Sequence, residues 1–304
     1  MRDPESRLEA QNSAWAAYRY LKEDKDLYMP TSCELDMLTG IIGRLPNLSS
    51  IEVTLKTCPF QEKATPELLG DIWQIPSTRL LPRVATTERF TNILTAISFN
   101  LSIVGVNTLS HDALPFEFFA QKPSLISLFS TTFQPLTTLK LAIDYSDMPN
   151  NLHFTEVFEN LSFCLRSVTS LQRLDLGFEG TKKIDILPLL SSFKEEEHFF
   201  PSLTELMLKG IISTEVDLGY FLTKHKRLKI LQLGGVGDKA PHQAARGGVH
   251  LKKGSFQGLF GRLRKELDLE IIRIQGDLVG MESGECWVLD LPELEEKLRE
   301  YVID

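Results

Sequence analysis

Residues 168–178 read VTSLQRLDLGF, and this stretch decides the fold. Val168, Leu171 and Leu174 are three apart, then Leu174, Leu176 and Phe178 alternate. Alternation with period two is the mark of a short strand with one buried face, and the three-apart residues belong to the turn that swings the chain into it. Working outward, the spacing returns at Leu45, Leu48, Ile51, Val53 and Leu55 (RLPNLSSIEVTL) and at Phe133, Leu136, Leu139, Leu141 and Ile143 (FQPLTTLKLAI). It recurs at Phe200, Leu203, Leu206 and Leu208 (FPSLTELML), at Leu228, Leu231 and Leu233 (HKRLKILQL), and loosely at Leu269, Ile272 and Ile274 (LDLEIIRI). One such unit cannot bury its own apolar edge, but several side by side supply each other's interior.

Between these strands the sequence reads as helix. TTERFTNILTAISF offers Thr87 as N-cap with Phe90, Ile93, Leu94 and Ile97 at helical spacing, and FTEVFENLSFCL sets Val157, Phe158, Leu161 and Leu165 on one face. STEVDLGYFLTKHK has Ser213 or Thr214 as cap over Leu218, Phe221 and Leu222; GSFQGLFGRLRKEL has Ser255 over Phe256, Leu259, Phe260, Leu263 and Leu267. Alternating helices and strands predict an α/β fold: an irregular leucine-rich-repeat-like solenoid with parallel strands on one face and helices on the other. Central strand positions at 139, 174, 206, 231 and 272 give spacings of 35, 32, 25 and 41 residues, so the array is uneven. A damaged unit is expected near Phe99–Val104 (FNLSIV).

The expected organisation is a helical N-terminal cap over 1–40, an array over 41–280 and a C-terminal capping helix over 281–304. The first is drawn from Leu8, Trp15, Tyr18 and Leu21, the last from Leu294, Leu298 and Val302. The glycine-rich stretch 234–254 reads as a surface loop.

A net charge of -8 speaks against a dedicated nucleic-acid binder. The polar-interrupted stretch from Ile93 to Val106 is too short to span a bilayer, and the charged start MRDPE is no secretory signal, so neither nucleic acid nor membrane is expected as partner and the cytoplasm or nucleus is the expected compartment. Cys33, Cys58, Cys164 and Cys286 form no CxxC pair and read as reduced thiols; the Asn-Leu-Ser triplets at Asn47, Asn100 and Asn160 are chance glycosylation matches.

Motifs for chemistry are weak. Gly235, Gly237 and Ala240 match G-x-G-x-x-A after a strand, but Pro241 follows and no acidic residue stands at the ribose position. Ser110, His111 and Asp112 are consecutive, whereas a catalytic triad converges from separate places. The six histidines form no metal-binding pair; His242 and His250 share the glycine stretch and read as solvated. Lys194–His198 (KEEEH) reads as a solvated face, and HLKK with RLRK is a small basic cluster. No cofactor, no metal and no enzyme activity is expected.

The remaining candidate is the polar face of the strands. Glu52, Thr54, Lys140, Asp144, Arg173, Asp175, Glu179, Glu205, Lys209, Gln232, Arg273 and Gln275 alternate with the buried leucines and are expected to point into a concave face. Their mixed signs suit a protein partner.

RSVTSLQRLDLGF, FPSLTELMLKGIISTEVDLGYFLTKHKRLKILQLGGV and GSFQGLFGRLRKELDLEIIRIQGDL resemble the repeat region of filamentous-fungal F-box proteins, most clearly over residues 137–278. The resemblance implies a substrate receptor of a cullin-RING ubiquitin ligase, its repeats gripping the substrate. The F-box itself, a helical segment opening L-P-x-E-L/I-L, is not seen in the first forty residues, and TPELLGDIW (65–73) only echoes it before IPSTRLLP, whose prolines would break the bundle. The alternative is a non-catalytic scaffold unrelated to ubiquitin.

Overall fold

The computed structural model describes residues 31–55, 83–146, 154–180, 183–193, 200–235 and 247–289. Helix α1 (Thr31–Ile42) leads to strand β1 (Ser50–Val53), and α2 (Arg83–Phe99) to β2 (Thr108–Pro115). A 3-10 turn (Phe116–Ala120) and α3 (Pro123–Phe133) lead to β3 (Thr138–Asp144), and α4 (Phe154–Arg166) to β4 (Arg173–Glu179). From there a second, short strand precedes each helix: β5 (Ile184–Asp185) before α5 (Leu187–Ser192), then β6 (Glu205–Lys209) and β7 (Ile211–Ser213) before α6 (Glu215–Lys224). Next come β8 (Ile230–Gly234) and β9 (Val249–Leu251) before α7 (Phe256–Glu266), then β10 (Ile271–Gly280) and β11 (Glu285–Leu289).

The fold is mixed α/β around an open, mostly parallel 11-stranded sheet, as the alternation of periods predicts. Strands run β1-β2-β3-β4-β6-β8-β10 and then return through β10 into β9-β7-β5; among the described residues the β10–β11 pair alone is antiparallel. Helices pack side by side in chain order, α1 on α2 through α6 on α7.

Register aligns the leucines. Ile51, Leu109, Leu139, Leu174, Leu206, Leu231 and Ile272 form one row across seven strands. Val53, His111, Leu141, Leu176, Leu208, Leu233 and Ile274 form the next. Beyond the edge strand β1 these residues are buried, and they share one core with the apolar helix faces predicted for α2, α4, α6 and α7. Thr214 and Ser255 cap α6 and α7, accepting from the amides of Asp217 and Gly258. The three-apart residues are turns, closed by bonds from Leu48 N to Leu45 O, Leu136 N to Phe133 O, Leu203 N to Phe200 O and Leu228 N to His225 O.

Several expectations are corrected. The strand expected at Phe99–Val104 lies at Thr108–Pro115. Asn100 ends α2 instead, its amide nitrogen donating to Ala96 O and Thr39 O while Ile103 N and Val104 N donate to its carbonyl. Helix α2 begins at Arg83, so Thr87 is a buried residue within the helix and not its cap. The stretch 234–254 is not all loop, since Val249–Leu251 is β9, between β7 and β10. Residues 285–289 are a strand, against the C-terminal helical cap expected over 281–304; the helical pattern from 290 onward lies outside the described residues. So do 1–30 of the expected N-terminal cap, 65–73, 194–198 and 236–246, which include Gly237, Ala240 and His242.

Two glycines make the second arm of the sheet. Gly210, between β6 and β7, has φ 71°, and Gly276, within β10, has φ 77°. A Cβ on Gly210 would stand 2.0 Å from Phe178 O, so the position is closed to any side chain.

Candidate functional site

The polar positions that alternate with the leucines fall on one sheet face, in register. Glu52, Ser110, Lys140, Asp175, Met207, Gln232 and Arg273 form one row. Ser50, Thr108, Thr138, Arg173, Glu205, Ile230 and Ile271 form the row beside it. Lys209 pairs with Gly177, and Asp144 with Glu179, further along the strands. Eleven of the twelve candidate residues are thus brought to one side, Gln275 pairing with Gly234; Thr54 follows the end of β1, outside the paired positions.

They differ in what they are free to do. Arg173 lies 2.9 Å from Asp175 and 3.0 Å from Glu205, and the Asp175 hydrogen bond leads the effects that raise its pKa above the usual guanidinium range. Lys209 reaches Glu179 at 2.9 Å, its stem lying over Gly177 and Gly235, and a side chain at Gly235 would crowd it. Asp144 is 6% exposed; it lies 3.4 Å from the Arg83 guanidinium and accepts from Ser146 N. Arg83 also pairs with Glu117, tying the start of α2 to the strand ends. Gln232 donates through Nε2 to Gly234 O at 3.4 Å and reaches Gln275 Oε1 at 3.5 Å, both long bonds.

Glu52, Lys140 and Arg273 remain: among the described residues none of them takes part in an ion pair or side-chain hydrogen bond, and Glu52 and Arg273 are exposed. Beside the Gln232–Arg273 pair stands an apolar patch. Ile230 and Ile271 are neighbours in register, with Met207 one row away, all partly exposed on the polar face. Their signal was available in the alternation, since each precedes or separates buried leucines where a polar residue is the rule. Arg173, Glu205, Gln232 and Arg273 ring these apolar side chains with polar ones.

A second constellation gathers where the two sheet arms meet. Asp277, on β10, accepts through Oδ2 from Lys183 Nζ at 2.6 Å and from His250 Nε2 at 2.7 Å, and through Oδ1 from Gly248 N at 3.1 Å. Burial pushes its carboxyl up, but the hydrogen bonds of His250 and Lys183, with their charges, outweigh this and hold it below the usual carboxylate range. His250 is therefore no solvated loop residue but a tie between β9 and β10. Each partner satisfies another, as a buried ionic joint requires.

The histidine of Ser110-His111-Asp112 faces the core, edge-on to Phe90 with ring centroids 4.8 Å apart, while Asp112 Oδ1 accepts from Leu55 N. Burial pushes the His111 imidazole down to about 4. Cys164 is buried, which pushes its thiol up to about 12, and Cys286 is exposed. Among the described residues no three His, Cys, Asp or Glu side chains are grouped to hold a metal, and no helix is long and apolar enough to cross a membrane. No family model matches the chain, and no curated protein matches it.

Proposed function

We propose that the chain is a leucine-rich-repeat-like solenoid whose polar sheet face grips a protein partner in the cytoplasm or nucleus. One observation carries the repeat reading. At the entry of each strand of the long arm after β1, two successive amides share one carbonyl of the preceding unit: Asn107 and Thr108 on Ser49 O, Thr137 and Thr138 on Asn107 O, Gln172 and Arg173 on Thr137 O. The series continues with Thr204 and Glu205 on Gln172 O, Lys229 and Ile230 on Thr204 O, and Glu270 and Ile271 on Lys229 O. Six repetitions of one bond pattern, at unequal spacing in sequence, support units related by a single stacking operation.

The face reading rests on the Met207–Ile230–Ile271 patch with Lys140, Arg273 and Glu52 uncommitted beside it. The likeness of residues 137–278 to the repeats of fungal F-box proteins supports the finer reading, in which the partner is a ubiquitin-ligase substrate; a scaffold without ubiquitin uses the same face. Affinity purification of the tagged chain, unaltered and as Lys140→Gln/Arg273→Gln, tests both. The face reading expects a stoichiometric protein that the double variant loses, and a partner held equally by both chains defeats it. The ligase reading further expects the adaptor–cullin complex; its absence at every expression level sinks that reading alone.

A further inference from the structure

The two uncommitted cations of the polar face stand at a fixed separation. Lys140 on β3 and Arg273 on β10 lie in one register row, with Asp175, Met207 and Gln232 on the three strands between. At about 4.8 Å per strand, the steps across the sheet set them roughly 19 Å apart. Neither takes part in an ion pair or side-chain hydrogen bond among the described residues. What separates them is of two kinds. Asp175 and Glu205 share the one guanidinium of Arg173, so that group keeps a negative charge in excess. Beside it Met207, Ile230 and Ile271 form the apolar patch, all partly exposed.

This pattern specifies its complement. Acidic groups at that separation satisfy Lys140 and Arg273, while an acidic group midway would meet Glu205, whose cation is already shared. Glu52, two strands past Lys140 in the same row, repels a partner that is acidic throughout. Apolar side chains belong midway. The apolar patch offers no donor or acceptor, so a backbone laid over it must have its own amides and carbonyls already bonded. An α-helix meets that condition and an extended chain does not. Width agrees: Met207 and Ile230 stand in neighbouring rows, about 7 Å apart, which a helix of about 10 Å diameter covers at once. Length agrees too, since about 14 residues, or four turns, return to the same helix face after a rise of roughly 21 Å.

We propose that the polar face takes an amphipathic α-helix of a protein partner, laid across the strands from β3 to β10. The helix carries acidic residues about four turns apart, one over Lys140 and one over Arg273, with apolar residues between them over the Met207–Ile230–Ile271 patch. The inference rests on the face reading above and supplies the partner's chemistry.

A display library of helical peptides about five turns long, randomised along one face, tests this by selection on the full chain and on its Lys140→Glu/Arg273→Glu variant. The unaltered chain is expected to enrich Asp or Glu at two positions about 14 apart, with Leu, Ile, Met or Phe between. The reversed chain is expected to enrich Lys or Arg at those same two positions. A peptide from the first pool should bind Lys140→Gln and Arg273→Gln each about fivefold more weakly in fluorescence anisotropy. Lys265→Gln, an exposed charge on α7, should leave its binding unchanged. The glutamine variants guard against a misfolded reversal, because their melting temperatures should match the parent's. Basic-ended peptides on the unaltered chain, enrichment at no position, or equal binding to Lys140→Gln/Arg273→Gln each overturn the proposal. The face reading is judged separately, by the purified partner. A partner that the double variant loses, while selection yields no acid-ended helix, keeps the face reading and overturns this inference. Acid-ended helices selected by a chain that captures no protein uphold the helix seat and defeat the face reading instead.

Discussion

The Lys183 ammonium lies 2.6 Å from the Asp277 carboxylate, 94 residues further along the chain. Their side chains are 8% and 10% exposed, and the pair joins the start of β5 to β10 at opposite ends of the short arm of the sheet. A joint of this kind is costly to half-remove, because the remaining charge keeps its burial and loses its counter-charge.

Asp277→Asn is therefore expected to cost about 3–5 kcal/mol in denaturant unfolding, and Asp277→Asn/Lys183→Met to recover part of that loss. The pH dependence has a definite sign. A carboxyl held below its ordinary value contributes stability above the unfolded-state value, and that contribution fades as the pH falls through the folded value. The Asn variant should accordingly lose less than the parent on acidification below about pH 4. A double variant no more stable than Asp277→Asn would show that the two residues are not coupled.

Two core histidines set a second acid response. His111 stands in a leucine row, and His225 stands where Phe133 and Phe200 open the turn of other units. Burial pushes both down from 6.5 to about 4; for His225 a bond from Nδ1 to Phe221 O opposes this and the neighbouring Lys224 charge adds to it. Each stays neutral in the fold and takes up a proton more readily unfolded. Stability is thus complete above the unfolded value and drains by about 1.4 kcal/mol per pH unit per histidine between 6.5 and 4. His111→Leu should remove one histidine's share of that slope while leaving the fold intact at neutral pH. An unchanged slope between pH 6 and 4 would show that His111 is not buried neutral.

Gly210 and Gly284 share φ 71° but differ in surroundings. Gly284→Ala meets open space and should cost only the backbone strain, about 1 kcal/mol. Gly210→Ala adds a methyl within 2.0 Å of Phe178 O and should cost roughly 2–5 kcal/mol. Equal melting temperatures for the two variants would contradict the tight joint between β6 and β7.

On the sheet face, stability and binding should separate. Lys140→Gln removes a charge with no ion-pair partner among the described residues, and should leave unfolding free energy within about 0.5 kcal/mol of the parent while weakening partner capture. Lys209→Ala loses the Glu179 pair and the stem lying across Gly177 and Gly235, and should cost about 1 kcal/mol. Were Lys140→Gln the more destabilising of the two, the division between committed and uncommitted charges would be wrong.

The rows of leucines could be read in advance because each strand hides one face and shows the other, so neighbours two apart carry the message. Thr214 and Ser255 were legible for a similar reason: a cap acts on amides three residues away. Strand β2 escaped because His111 takes a leucine's place and the register shifts between His111 and Leu114, breaking the alternation. The apolar centre at Met207, Ile230 and Ile271 carries no charge and is gathered only by the register of β6, β8 and β10, which linear spacing does not give.

Local pattern settled the α/β class, the parallel direction of the strands and the side on which the polar residues stand. Folding settled which of those residues are spent on one another: Arg173 on Asp175 and Glu205, Lys209 on Glu179, Asp144 on Arg83, with Lys140 and Arg273 left over. It also set the second arm of the sheet, turned out at Gly210 and Gly276 and pinned by Lys183, His250 and Asp277. Periodicity is a property of near neighbours and survives in any linear reading. An ion pair depends on which strand lies beside which and in what register, and those are properties of the assembled sheet.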